Sequence, residues 1–162
     1  MAKNETKNAP PPRIVLEDGT EVGLVPLERT GKPLYASRDG RVFSYVRGKC
    51  RQLKPSPTAY PNSKNTHHTK QPYYKLRCSY HHILVHHAVA LTWIGPCPKG
   101  YECDHINGIT ADNRLENLEW VTHLENCRRR KELYAKQGLN YWGRPLRKKP
   151  TLVQLEIDFN NH

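Results

Sequence analysis

The chain has 162 residues, the length of about one domain, and a formal net charge of +11. So basic a composition favours a polyanionic partner, and nucleic acid is the first candidate. No apolar run reaches the ~20 residues of a membrane span, and no apolar segment follows the first lysines as in a secretory signal, so we expect a cytoplasmic protein without a membrane partner.

The charge is distributed unevenly along the chain. Residues 31–82 carry a net charge of +10 and residues 127–150 carry +8, whereas residues 83–126 between them carry −4. Basic segments of this kind bind phosphates, and an acidic segment between them would repel a phosphate unless it held a cation. The pattern favours a cation site between two phosphate-binding segments, although charge runs also occur on faces that are only solvated.

The start of the chain predicts a disordered tail over residues 1–20, which contain three consecutive prolines, and then a small β-rich module over residues 21–82. Asp39-Gly40 lies between two β-like runs and therefore predicts a hairpin. On the second run, residues 42–46, odd- and even-numbered side chains are expected on opposite faces.

After this hairpin the sequence predicts a loop, a strand and then a helix. Residues 54–72 hold four prolines and few apolar groups, which is typical of a long loop. Residues 73–78 predict a strand. Over residues 82–94 the apolar period becomes that of a helix, which Gly95-Pro96 ends.

Residues 101–136 predict strand, loop, strand and helix, in that order. The first strand turns at Asn107-Gly108, and the second is followed by Thr122. Thr122 is a predicted helix N-cap, because Glu125 follows it at the spacing of a capping box.

Four polar side chains in this segment offer chemistry: Asp104, His105, Asn117 and Asn126. The adjacent Asp-His pair provides a hard anionic oxygen and a base that works near neutral pH. Asn126, near the start of the last helix, could add an amide oxygen. One carboxylate and one amide oxygen make an open site for Mg²⁺ or Mn²⁺, which would keep waters and accept phosphate oxygens.

These motifs resemble the HNH endonuclease family, in its phage and homing-type branch. The resemblance is carried by the Val-His helix of residues 85–93, by Asp104-His105-Ile106-Asn107-Gly108, by residues 112–122 and by Glu125-Asn126. His105, Asn117 and Asn126 match the family pattern of a first histidine, a central asparagine and a third residue nine positions on. Residues 21–54 resemble less closely a DNA-associated module that often precedes such domains.

The resemblance implies an α+β protein with a ββα-metal nuclease core over residues 83–137, preceded by the small β-rich module. It implies that Asp104 and Asn126 bind one divalent metal ion, that His105 is the general base, and that Asn117 holds the loop that orients His105. The implied reaction is hydrolysis of phosphodiester bonds in double-stranded DNA.

The basic C-terminal helix and an extended basic arm over residues 138–162 are expected to contact DNA phosphates. The glycines and prolines of the arm disfavour helix. The candidate DNA-binding residues are Arg128, Arg129, Arg130, Lys131, Arg144, Arg147, Lys148 and Lys149.

Several alternatives remain open at this stage. His123 competes with Asn126 as a metal ligand, or joins it, because both lie in the first turns of one helix. His86 is expected to be a satisfied packing histidine, with a role in bracing the site or contacting DNA as the alternative. A non-catalytic DNA-binding protein, with a degenerate ββα unit or one stabilised by zinc at Cys103, His105, His123 and Cys127, is the main alternative function, and an RNA-binding module is a weaker one.

Overall fold

The computed structural model of the chain describes residues 11–27, 33–58, 72–78 and 81–139. They form a mixed α and β structure, and neither of its two helices is long and apolar enough to cross a membrane. A 3₁₀ turn covers Leu115–Asn117. The strands and helices are, in order, β1 (Arg13–Val15), β2 (Glu21–Leu24), β3 (Leu34–Ser37), β4 (Val42–Val46), β5 (Lys49–Gln52), β6 (Ser56–Pro57), β7 (Tyr74–Cys78), β8 (His81–Leu84), α1 (Val85–Trp93), β9 (Tyr101–His105), β10 (Leu118–Thr122) and α2 (His123–Lys136).

Strands β1 to β5 form an antiparallel sheet in chain order, which we call the N-terminal sheet. The hairpin predicted around Asp39-Gly40 is confirmed, since Tyr35 of β3 pairs with Phe43 of β4. The predicted alternation is also observed: Val42 packs into the core that contains α1, and Phe43 packs into a separate cluster on the other face.

The N-terminal sheet begins earlier than the sequence indicated. β1 lies inside the predicted tail of residues 1–20, because its backbone pairs with β2 and the Tyr35 hydroxyl donates a hydrogen bond to the Pro11 carbonyl at 2.5 Å. Residues 1–10 of that predicted tail lie outside the described residues.

Strands β6, β7 and β8 form a second antiparallel sheet. The helix predicted over residues 82–94 therefore starts later, at Val85, because the backbone of residues 81–84 pairs with β7. The predicted loop over residues 54–72 contains β6, and its residues 59–71 are outside the described part of the chain.

Strands β9 and β10 form a two-stranded hairpin that leads directly into α2, giving the predicted ββα order. The Thr122 cap is confirmed, since its side chain accepts a hydrogen bond from the Glu125 backbone N–H at 3.3 Å. Gly108 has a positive φ of 70° in the predicted turn, a conformation that glycine adopts without strain.

Helix α1 lies at the centre of the fold. Its buried Ala88, Val89 and Ala90 pack with side chains of the N-terminal sheet, of β7 and β8, and of the β9–β10 hairpin in one core. The Trp93 indole N–H also donates to the Ala36 carbonyl at 3.1 Å. The β-rich module and the ββα unit thus share a core, and the predicted boundary between residues 82 and 83 falls within β8.

Candidate active site

His105 is the last residue of β9, and its side chain is only 5% exposed. Its ring lies 4.9 Å from the ring of His86 and 6.0 Å from that of Tyr73. Burial lowers its pKa, and the hydrogen bond to Asn113 and the charge of Asp104 oppose that shift. The imidazole is therefore neutral at neutral pH and able to accept a proton.

Asp104 points to the opposite side of β9, as strand alternation requires. Its half-buried carboxylate faces α2, where the nearest cation is Arg129, at 3.5 Å. Burial raises the pKa of Asp104, and Glu119 raises it further, whereas Arg129 lowers it. The carboxylate is thus incompletely compensated, a condition that a bound cation would relieve.

Asn126 lies on the same side, and Glu102 orients its amide. The Asn126 Nδ2 group donates to Glu102 Oε2 at 2.7 Å, and His123 Nδ1 lies 2.6 Å from Glu102 Oε1. Both hydrogen bonds lower the pKa of Glu102. The Asn126 Oδ1 atom accepts no hydrogen bond among the described residues, so it remains available as an oxygen ligand. Asp104 and Asn126 make no direct hydrogen bond to each other there.

Asn117 closes the loop between the two strands of the hairpin. Its Oδ1 atom accepts from the Asn107 N–H at 2.9 Å, and its Nδ2 group donates to the Asp112 carbonyl at 2.8 Å. Its backbone carbonyl accepts from the Ile106 N–H at 2.9 Å. Because the loop follows His105 directly, these bonds restrain the end of β9.

The arginines of α2 are engaged within the protein. Arg128 pairs with Glu125 at 2.7 Å and with Glu132 at 2.5 Å. Arg129 pairs with Glu119, Glu125 and Asp104.

The other six predicted DNA-binding residues are Arg130 and Lys131 of α2 and four residues of the C-terminal arm. Arg130 donates to the Cys127 sulfur at 3.6 Å. Lys131 is exposed and forms no ion pair among the described residues. Four members of the predicted set lie outside the described residues: Arg144, Arg147, Lys148 and Lys149.

The four ligands of the alternative zinc site are not brought together. Cys103 and His105 contact His86 of α1, whereas His123 contacts Glu102 on the other face of β9, with Cys127 beside it at 3.6 Å. Strand alternation separates the two pairs. No three His, Cys, Asp or Glu side chains in the described ranges are grouped to hold a metal ion.

His86 packs as predicted but is not satisfied. Its side chain is 2% exposed and contacts the rings of His87 and His105 at 4.7 and 4.9 Å. Its Nδ1 atom has no hydrogen-bond partner in the described part of the chain. Burial lowers the pKa of His86 to about 3.

Sequence reasoning named Glu102 only as a fallback metal ligand and did not single out Asn113, although both touch the candidate site. Glu102 orients Asn126, and its position two residues before Asp104 on the same strand face was a signal for it. Asn113 contacts His105 from a loop, where no periodic pattern indicates which way a side chain points.

Comparison with known families indicates what kind of segment carries these residues. The family model described as "HNH endonuclease" matches residues 83–128. Over these residues, which we call the HNH segment, the chain is similar to the HNH endonuclease family. The HNH segment contains all four residues singled out from the sequence, Asp104, His105, Asn117 and Asn126.

Comparisons with individual proteins add little to this family match. No curated protein matches the chain. A solved structure titled "DNA binding and cleavage by the HNH homing endonuclease I-HmuI" is similar at 22% sequence identity and a TM-score of 0.46, over 79% of this chain. The match spans 62% of the length of that structure.

Proposed function

We propose that this protein is a metal-dependent endonuclease that hydrolyses phosphodiester bonds of double-stranded DNA. The observation that carries the proposal is the arrangement at the end of β9. There His105 is buried and neutral, and the residue before it, Asp104, has a half-buried carboxylate that faces α2. Asp104 and His105 are neighbours at the end of the strand, with Cα atoms about 3.8 Å apart, and the scissile phosphate would bind at this end.

One divalent ion, Mg²⁺ or Mn²⁺, would be held by Asp104 and Asn126. Both offer hard oxygen atoms, which these ions prefer, and the Asn126 amide is already turned so that Nδ2 contacts Glu102 and Oδ1 is available. The raised pKa of Asp104 is consistent with a carboxylate that lacks a full counter-charge. Such an ion, when bound, would stabilise negative charge on the scissile phosphate and on the leaving 3′-oxygen.

His105 would act as the general base. A water attacks phosphorus, its proton passes to His105, and the bond from phosphorus to the 3′-oxygen breaks. Asn117 would keep the loop after His105 closed through its bonds to Asn107 and Asp112. The basic segments, with net charges of +10 and +8, would hold the phosphate backbone on either side.

The test is cleavage of supercoiled plasmid by wild-type protein and by His105→Ala, with and without Mg²⁺ or Mn²⁺. Loss of a general base lowers the rate by about 10²–10⁴, while DNA affinity should stay nearly unchanged. His82→Ala, an exposed histidine on β8, is the matched control and should cleave like wild type.

Two results would contradict the proposal. A wild-type protein that leaves the plasmid intact with either ion is not a nuclease. A His105→Ala variant that cleaves at the wild-type rate places the base elsewhere. Competition with single-stranded DNA and with duplex RNA would separate the proposed substrate from the weaker alternative of RNA binding.

A further inference from the structure

The hydrogen bonds of Asn113 indicate which nitrogen of His105 carries the proton. Asn113 lies in the loop before the 3₁₀ turn and is 9% exposed. Its Nδ2 group donates to the Ala111 carbonyl at 3.1 Å, and a carbonyl can only accept. The amide oxygen Oδ1 must therefore be the atom that lies 3.3 Å from His105 Nε2. An amide oxygen also only accepts, so neutral His105 is protonated at Nε2 and has its lone pair on Nδ1.

The position of Asn113 is set in turn by the N-terminal sheet. Gly40, in the turn between β3 and β4, has a φ of 91°, and a Cβ atom there would lie 3.0 Å from the Asn113 backbone carbonyl. Beside it, the Leu115 N–H donates to the Arg38 carbonyl at 2.8 Å. The turn at residues 38–40 therefore packs directly on the loop that carries Asn113.

We propose that Asn113 is a positioning residue for His105, and that the turn at residues 38–40 holds Asn113 in place. The proposal rests on the proposed function, in which His105 is the base. On this view the N-terminal sheet helps to build the active site, in addition to any contact it makes with DNA. The HNH segment of residues 83–128 does not include this turn.

The surroundings of Asn113 allow it to shift without unfolding the protein. A cleft of about 280 Å³ lies beside it and is lined by Gly40, Ala111 and Asn113 among others. A side chain added at residue 40 would push Asn113 by a few tenths of an ångström. A misplacement of about 1 Å in a catalytic array can cost about 10²-fold in rate, so we expect a shift of a few tenths of an ångström to slow the reaction on the order of tenfold.

The first test compares Asn113→Ala with Asn113→Asp. The alanine variant loses the acceptor for His105 Nε2–H, whereas the aspartate variant keeps an acceptor oxygen there and loses the donor to the Ala111 carbonyl. At saturating DNA we expect single-turnover cleavage on the order of tenfold slower for Asn113→Ala, with an unchanged dissociation constant, and a rate within about threefold of wild type for Asn113→Asp.

A spectroscopic signature makes this test independent of cleavage. In nitrogen-15 NMR spectra, wild type and Asn113→Asp should show a slowly exchanging proton on His105 Nε2. That signal should be lost in Asn113→Ala, because solvent replaces the amide oxygen. A folded Asn113→Ala protein that keeps both the signal and the wild-type rate would overturn the proposal.

The second test uses two glycines with nearly the same backbone. Gly48, in the next hairpin, has a φ of 80° but no atom within 4 Å of an added Cβ. Gly40→Ala and Gly48→Ala therefore carry similar backbone strain, and only the first touches Asn113. We expect Gly40→Ala to slow single-turnover cleavage on the order of tenfold and Gly48→Ala to leave it unchanged.

A double mutant decides whether Gly40 acts through Asn113. Gly40→Ala should have no further effect in the Asn113→Ala background, whereas equal effects in both backgrounds would overturn the role of the turn. If wild type does not cleave DNA, the proposed function fails on its own. The NMR signal then decides the positioning: its loss in both Gly40→Ala and Asn113→Ala supports the proposal, and its retention overturns it.

Discussion

At the scale of single residues, the candidate metal ligands differ in how strongly the protein restrains them. Asp104 is half-buried, and its nearest cationic group, Arg129, is 3.5 Å away. The amide of Asn126 is held by a hydrogen bond to Glu102. We expect Asp104→Ala and Asn126→Ala each to raise the Mn²⁺ concentration needed for half-maximal cleavage by at least about tenfold, because each removes an oxygen ligand. A Mn²⁺ titration of the cleavage rate measures this.

Glu116→Ala is the control for this titration, because Glu116 is an acid that pairs only with Arg114 among the described residues, and its side chain is 71% exposed. It should leave the Mn²⁺ curve in place. If neither ligand variant moves the curve, the ion is held elsewhere, and Glu102, Asp112 and His123 are the residues to substitute next.

The buried His86 makes the free energy of unfolding depend on pH. Its folded-state pKa is about 3, against an ordinary value of 6.5, chiefly because of burial. Between these values the unfolded chain binds a proton that the folded protein does not, so stability is lost as pH falls from about 6.5 to about 3. The loss is about 1.4 kcal/mol per pH unit within this window.

Urea unfolding from pH 7 to pH 4 tests this expectation. His86→Phe removes the titrating group and should flatten the dependence, while His82→Gln, at an exposed position, should leave it unchanged. A His86→Phe protein with the same pH slope as wild type would show that other groups cause the acid lability.

At the scale of elements, α2 presents two classes of cation. Arg128 and Arg129 are bound to acidic side chains, whereas Lys131 is exposed and unpaired among the described residues. We expect Lys131→Ala to reduce the slope of log affinity against log salt by about 0.9, the effect of one phosphate contact.

Arg128→Ala is the matched variant on the same helix. It should change the salt slope less than Lys131→Ala does, because Arg128 must first give up its bonds to Glu125 and Glu132. The reverse order, with a larger effect at Arg128, would indicate that these ion pairs open when DNA binds.

At the scale of the whole molecule, the C-terminal arm is expected to supply affinity and not chemistry. It holds Arg144, Arg147, Lys148 and Lys149, beyond the last described residue. We expect truncation after Gln137 to weaken DNA binding but to leave single-turnover cleavage at saturating DNA within about threefold of wild type.

Binding assays at several salt concentrations, together with single-turnover cleavage, measure both quantities. A truncated protein that binds as tightly as the full chain would show that the arm only aids solubility. One that saturates with DNA but does not cleave would show that the arm helps to form the active site.

Local sequence signals determined much of this protein by themselves. The β3–β4 hairpin, the turn at Asn107-Gly108 and the Thr122 cap were all predictable, because each depends on residues within a few positions of one another. The four residues proposed from the sequence also lie in one short stretch, within the residues that match the family model.

Only the tertiary structure decided how these pieces meet. Residues far apart in the chain meet where the Gly40 turn contacts Asn113 and where Arg129 pairs with Asp104. Their energies come from packing and pairing across the fold, which leave no periodic trace in the sequence. The position of His105 is decided in this way, since its strand is local but its hydrogen-bond partner is held by a distant turn.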